Sequence, residues 1–294
     1  MRGWLANLKS IDGKRSLSRS TIHGYKSILA LAFDLAIEDN LISSNPFKFD
    51  FRKLLSNHTE KKEGLTPKQT LDLLKFIKES VRFQKYYDAI CILFNTGLRI
   101  SEFAGLTASD IDFDGGMLYV NSQLLKHYNV NNYCWSSSQE SQNFSIKITD
   151  IKAQYSVETL KTENAKRVIP LTDVTKKCFS NLINSRNSVK FEKFMPKKFL
   201  CLTRYGMPMV SSNWELIFRE ILKAYNKASK DKIAALTPHI CRHTACTFWY
   251  NQHVSLKAMQ KLMGHSNVNV TMDVYTDCDQ SVIAEEFKKF NGVS

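Results

Sequence analysis

Between Asp110 and Leu171 the apolar pattern changes period, and this change constrains the fold more than any other feature of the chain. Four short β-type runs lie in that interval, Met117 to Val120, Phe144 to Ile148, Tyr155 to Leu160 and Val168 to Leu171, separated by clusters of Gly, Asn and Ser. On both sides of it the apolar residues recur at helical spacing. The expected architecture is therefore mainly α with a small antiparallel β-sheet inserted, an α+β fold. Asn129 to Asn143, rich in Asn, Ser and Gln, reads as a long excursion within that sheet.

The helical segments define an organisation. From Ser20 to about Asn40, Ile22, Tyr25, Ile28, Leu29, Ala32, Phe33, Ala36 and Ile37 fall on helical spacing, and Ser43-Ser44-Asn45-Pro46 ends the run. One long helix with a short leader cannot bury a core by itself. The segment is expected to be the end of a small helical domain whose earlier helices are missing or supplied elsewhere, and Met1 is not taken as a natural start. Ser56 to Gly64 is polar and charged without apolar periodicity, as a linker is. After it, Thr66-Pro67-Lys68-Gln69 combines a capping Thr, a Pro at the first helical position and a Gln three residues past the cap, opening a helix to about Lys78. The expected division is 1–58, a linker over 59–65, and a large domain over 66–294.

Within the large domain a helix over Tyr86 to Phe94 meets Thr96-Gly97, where glycine suits a left-handed end. Ser212-Asn213-Trp214-Glu215 has capping-box spacing and opens a helix with Trp214, Ile217, Phe218, Ile221, Leu222 and Tyr225 on one face. Its other side carries Arg219, Lys223, Lys227 and Lys230, which reads first as a solvated face and second as a DNA-contacting one.

Charge narrows the partner. The 41 Lys and Arg against 28 Asp and Glu give a formal charge of +13, and the isoelectric point is about 9.3. An excess of that size points to a polyanion, nucleic acid first. With 43% hydrophobic and 23% charged residues the chain has the composition of a globular protein, so the charge sits on a fold. No apolar run approaches the roughly 20 residues of a membrane helix, and the first residues have too little apolar length for a secretory signal. A soluble, cytoplasmic protein is expected. The seven cysteines are scattered and include no Cys-x-x-Cys pair, as for reduced thiols, most of them buried. No Walker loop or dinucleotide-type glycine motif is present in the sequence, so no nucleotide cofactor is expected.

The segment from Leu236 to Tyr275 carries the chemistry. Thr237-Pro238 signals a helix start and places His239 and Arg242, at i and i+3, on one face of its first turns, where the helix pole attracts phosphate. Gly264 reads as a helix end, with His265 just beyond it. Ser266 can cap a further helix on which Val268, Thr271, Met272 and Tyr275 share a face. Singly, each residue has an ordinary explanation: a cap, a salt-bridge partner, an amphipathic core tyrosine. Together with Thr96-Gly-Leu-Arg-Ile-Ser-Glu102, and with Lys161 in Thr159-Leu-Lys-Thr-Glu-Asn-Ala-Lys166, the pattern resembles the tyrosine recombinase family, the phage-type and conjugative-transposon integrases.

The resemblance implies a catalytic set of Arg99, Lys161, His239, Arg242, His265 and the nucleophile Tyr275, acting without metal or other cofactor. The residue types fit that chemistry. Two Arg forks can hold the nonbridging oxygens of a phosphodiester as charge develops on them. The Tyr275 phenol, with a pKa of about 10, needs a proton acceptor such as His239, and Lys161, expected in a β-hairpin, would protonate the 5′-oxygen. His265 would add a hydrogen bond to the phosphate. Glu102 reads as a residue that orients the arginines or as a surface or capping Glu.

The same resemblance implies that the segment before the linker is the end of a core-binding domain that clamps double-stranded DNA. It further implies a homo-tetramer on paired sites, a possible accessory excision factor, and a terminal segment (Val282, Ile283, Phe287, Phe290) docking on a neighbour or on its own domain. Candidate DNA contacts are Lys26, Lys166, Arg167, Arg204 and Lys223, with Lys166 also the fallback acid. The alternative reading is a non-catalytic DNA-binding module with zinc on His239, Cys241, His243 and Cys246, although within one helix Cys241 points away from the other three.

Overall fold

The structure, a computed structural model, describes residues 2–50, 64–128, 142–148, 151–160, 164–186 and 199–264. The chain divides into two compact units, Met1–Lys61 and Lys62–Ser294.

In the first unit, helices α1 (Arg2–Ala6) and α2 (Arg19–Glu38) meet around Leu5, Ile22 and Phe47. Ser18 caps α2, its side chain accepting from the Thr21 N–H. Asn45 closes the turn that follows by donating to the Ala30 carbonyl and accepting from the Phe47 N–H, each at 2.8 Å. The buried side of α2 is narrower than its apolar pattern: Ile22, Leu29, Ala30 and Phe33 pack inward, whereas Tyr25, Ile28, Leu31 and Leu35 are exposed. A unit this small leaves apolar surface in water, as expected of two helices that cannot enclose a core.

The second unit is built on α4 (Tyr87–Thr96), which is buried nearly all round through Ala89, Ile90, Cys91, Ile92, Leu93 and Phe94. Around it lie α3 (Pro67–Glu79), α5 (Ile100–Gly105), α6 (Asp173–Arg186), α7 (Ser211–Ala228), α8 (Pro238–Asn251) and α9 (Leu256–Met263). Thr66 and Gln69 form the expected capping box, at 3.1 and 3.2 Å. Trp214 of α7 fills the centre, edge-on to Phe103 at 5.7 Å and to Tyr86 at 6.2 Å. Large side chains buried in this way contribute about 1.5–3 kcal/mol each. The cap of α7 differs from the expected one. The helix starts at Ser211, and the Asn213 side chain accepts from the Val210 N–H at 3.1 Å, so Asn213 rather than Ser212 supplies the capping oxygen.

The strands form two antiparallel sheets rather than one. The first has the order β1 (Ile111–Asp112), β2 (Met117–Val120), β6 (Arg167–Pro170); the second has β3 (Ser122–Tyr128), β5 (Ile151–Thr159), β4 (Gln142–Ile148). Val120 pairs with Arg167 and Ser122 with Thr159, with Asn121 between them on its strand; the Asn121 carbonyl accepts from the Leu160 N–H at 3.0 Å. This corrects the expected hairpin. The segment containing Lys161 joins two sheets, and its flanking strands β5 and β6 pair with β3 and β2, not with each other. The excursion over 129–141 lies outside the described residues. Among the described residues, no helix is long and apolar enough to cross a membrane.

Candidate functional site

Three helix ends and one strand converge on a cluster of charges. Helix α4 ends at Gly97, left-handed at φ 60°, and α9 ends at Gly264, left-handed at φ 64°, as glycine permits. A Cβ on Gly97 would lie 3.1 Å from the Met263 side chain, and one on Gly264 would lie 3.1 Å from the Asn164 carbonyl and 3.2 Å from the Arg167 guanidinium. Both glycines are thus required by close packing as well as by conformation.

Arg99 follows Gly97 and is the cap residue of α5; Glu102, three residues on, accepts its backbone N–H at 2.8 Å. Glu102 is fully buried, and its carboxylate also accepts from Arg99 Nη1 at 2.8 Å and from Arg167 Nη1 and Nη2 at 3.1 and 2.8 Å. Burial by itself would raise this carboxyl. The bonds and charge of Arg167, then those of Arg99, outweigh it and hold the group below its ordinary range.

The last carbonyls of α9 take further guanidinium donors. Leu262 accepts from Arg167 Nε at 2.6 Å, Met263 from Arg242 Nη2 at 2.5 Å, and Gly264 from Arg99 Nη2 at 3.2 Å. Arg242 Nη1 also donates to the Gly97 carbonyl at 2.7 Å. Carbonyls at a helix C-terminus have no partner within the helix and carry the negative pole of its dipole, so they suit cations. Arg242 is buried, and burial together with the charge of Arg99 lowers it to about 9, against a smaller opposing effect of Glu102. Arg99 keeps 36% of its side chain exposed, so one edge of the cluster faces outward.

Thr237 caps α8, accepting from the Ile240 N–H at 3.2 Å, with Pro238 at its first position. That start places His239 on the exposed side one turn before Arg242. His243, one turn further, is half-buried, and burial, then the neighbouring His239 and Arg242, lower its imidazole. Arg99 and Arg242 meet at the α9 terminus and His239 lies one turn before Arg242 on α8, while Lys161, His265 and Tyr275 lie outside the described residues.

Of the expected DNA contacts, Lys166, Arg204 and Lys223 are exposed. Arg204 stacks on the Tyr205 ring at 4.6 Å, and Lys26 lies 5.0 Å from the centre of the Phe49 ring. Arg167 is placed differently. It is 7% exposed, and its guanidinium bonds Glu102, Leu262 and Ala165, so its donors are committed inside the protein. Glu102, in turn, is not a surface residue. The signal for its place was its capping-box spacing from Arg99; nothing in the sequence marked Arg167 as its partner.

The four residues of the zinc reading do not converge. Cys241 and Cys246 are buried while His239 is exposed, and burial raises the Cys241 thiol well above its ordinary value. Among the described residues no three His, Cys, Asp or Glu side chains are grouped to hold a metal ion.

Guanidiniums locked by a buried carboxylate and by helix-terminal carbonyls, with an imidazole one turn away, make a preorganised centre for an oxyanion such as a phosphodiester. The sequence profile of the Phage integrase family matches residues 63–133 and 139–281. The chain belongs to this family, the tyrosine recombinases. It is 34% identical over 272 residues to the transposase from transposon Tn916 of Enterococcus faecalis, a match spanning 92% of this chain and 62% of that one. The chain thus covers less than two thirds of that relative's length. Among solved structures, the Tn1549 transposon integrase in complex with a circular intermediate DNA is 32% identical with a TM-score of 0.78, covering 98% of this chain and 84% of that one. A lambda integrase dimer bound to a core site shares the fold, with a TM-score of 0.56 at 16% identity, over 95% of this chain and 80% of that one.

Proposed function

We propose that the protein is a site-specific DNA recombinase that integrates and excises a mobile element through a covalent 3′-phosphotyrosine intermediate. The observation that carries this reading is the guanidinium cluster at the C-terminus of α9, where Arg99 and Arg242 are fixed next to the position at which the chain continues into His265. The similarity to the Tn916 transposase and to the DNA-bound Tn1549 integrase supports it.

In this mechanism the Tyr275 phenolic oxygen attacks the phosphorus and gives its proton to His239. A Tyr–O–P bond forms to the 3′ side, and the P–O5′ bond breaks. Lys161 gives a proton to the departing 5′-oxygen. Arg99 and Arg242 bind the nonbridging oxygens, and His265 adds a hydrogen bond. A 5′-hydroxyl of a second strand then attacks the phosphotyrosine, expels Tyr275 and restores the diester, with no net change in the number of high-energy bonds. Residues 1–58 end a core-binding domain, residues 66–294 form the catalytic domain, and the partners are double-stranded DNA, three further protomers on paired sites and an accessory excision factor. The protein acts in the cytoplasm, on the nucleoid.

The test is a denaturing gel of the full chain incubated with a nicked duplex that spans its element junction, with chelator present, beside Tyr275→Phe. An adduct that needs Tyr275 and survives chelation is expected. Tight binding with no adduct would overturn the catalytic reading.

A further inference from the structure

Arg167 is expected on DNA, yet its guanidinium makes four hydrogen bonds inside the protein. Its Nη2 and Nη1 reach both oxygens of Glu102, its Nε reaches the Leu262 carbonyl, and Nη1 also donates to the Ala165 carbonyl. These partners belong to three separate segments: the turn that carries Arg99, the α9 terminus that leads into His265, and the 160–166 segment that carries Lys161. A Cβ on Gly264 would come within 3.2 Å of the Arg167 side chain, so α9 ends directly against it. A planar fork with five donors satisfies a carboxylate and two carbonyls at once; a lysine ammonium at the same place, with three donors from one atom, reaches fewer of them.

We propose that Arg167 is a positioning residue of the recombinase, one that sets the Arg99 guanidinium through Glu102 and fixes the α9 terminus and the 164–166 turn against it. The inference rests on the function proposed above. It assigns Arg167 no contact with DNA, and this makes it separable from the role first expected. Removing a phosphate contact lowers the salt dependence of binding by about one counterion, whereas disturbing a positioning residue leaves affinity and salt slope unchanged and slows chemistry.

The experiment compares the full chain with Arg167→Met and Arg167→Lys. Single-turnover adduct formation on the nicked duplex is expected to fall about 100-fold in Arg167→Met, with partial recovery in Arg167→Lys, while DNA affinity and its salt slope stay at the wild-type values. Normal rates in both variants, or a salt slope reduced by about one with the rate loss confined to sub-saturating DNA, would overturn the proposal. Hydrogen exchange on the free proteins gives a readout that needs no strand transfer. Faster exchange of the Arg99 amide and of residues 262–264, with α7 unchanged, is expected in both variants, and unchanged exchange there overturns the proposal. Should the wild type form no adduct, the proposed function fails on that result alone, and the exchange data still decide the position of Arg167. Arg167→Lys, which keeps the charge, holds the test open if Arg167→Met does not fold.

Discussion

Replacing Glu102 with glutamine takes one negative charge from the point where the Arg99 and Arg167 guanidiniums meet. The wild-type carboxylate accepts four bonds, two from Arg99 and two from Arg167, at 2.8 to 3.1 Å, and has no exposed surface. An amide of the same size keeps one accepting oxygen and turns N–H groups toward donors, so about two of these bonds are lost. At about 1.5–3 kcal/mol for each bond to a charged group, the loss is about 3–6 kcal/mol. The independent figure for breaking a buried ion pair by removing one partner is about 3–5 kcal/mol. In a unit of this size that corresponds to a fall in melting temperature of about 6–20 °C. Urea and thermal unfolding of Glu102→Gln beside the wild type measure it directly. The sign with pH follows from the direction of the shift. Because the folded carboxyl lies below its ordinary value of 4.5, its stabilisation is complete at neutral pH, begins to fade below 4.5, and is lost as pH falls through the folded-state value. The gap between the two proteins should therefore close in acid. A loss under about 1 kcal/mol at pH 7, the size of a surface pair, or a gap that stays constant into acid, would refute the reasoning.

Gly264→Ala places a side chain at φ 64° and 3.1 Å from the Asn164 carbonyl, and should cost about 1–3 kcal/mol in urea unfolding while slowing adduct formation more than DNA binding. Burial holds the Cys201 thiol up at about 12 and raises Cys241 well above the ordinary thiol value, so a colorimetric disulfide reagent at pH 8 should label neither until denaturant is added. Sulfate should raise the melting temperature more than chloride at matched ionic strength. At ten times the dissociation constant the linkage gain is about 1.4 kcal/mol, and this ion-specific part should vanish in Arg242→Gln.

The elements that a local rule specifies are legible in the sequence: the capping box at Thr66 and Gln69, the left-handed glycines 97 and 264, and the Thr237-Pro238 helix start. Each depends on residues within four positions of one another. What escaped was set by partners far away in the chain. The strand runs are legible, but their division into two sheets depends on Val120 pairing with Arg167 while Ser122 pairs with Thr159, a matter of register across some forty residues. The burial of Arg167 escapes the sequence for the same reason. A basic residue beside a lysine at a strand start reads as solvated, and only the arrival of Glu102, 65 residues away, draws it into the core. The exposed Tyr25 and Ile28 show the converse, since helical period identifies an apolar face but not how much of it other elements cover.

The balance of charge at the site turns on Glu102, the one carboxylate bonded to the guanidiniums among the described residues. Arg99, Arg167 and Arg242 with Glu102 leave two net positive charges in a largely buried cluster. A second carboxylate in bonding reach would neutralise the forks and compete with a phosphate for the same donors. Without Glu102, three guanidiniums would face one another with only carbonyl dipoles between them. The observed arrangement lies between these extremes. Glu102 spends its charge on holding Arg99 and Arg167, whereas burial and the neighbouring Arg99 charge lower Arg242 to about 9, an electrostatic cost that an incoming anion removes. In the proposed reaction a diester brings one negative charge and its pentacoordinate state two, so complementarity is better at the transition state than at the ground state. That difference, rather than tight binding of DNA, is what accelerates the chemical step.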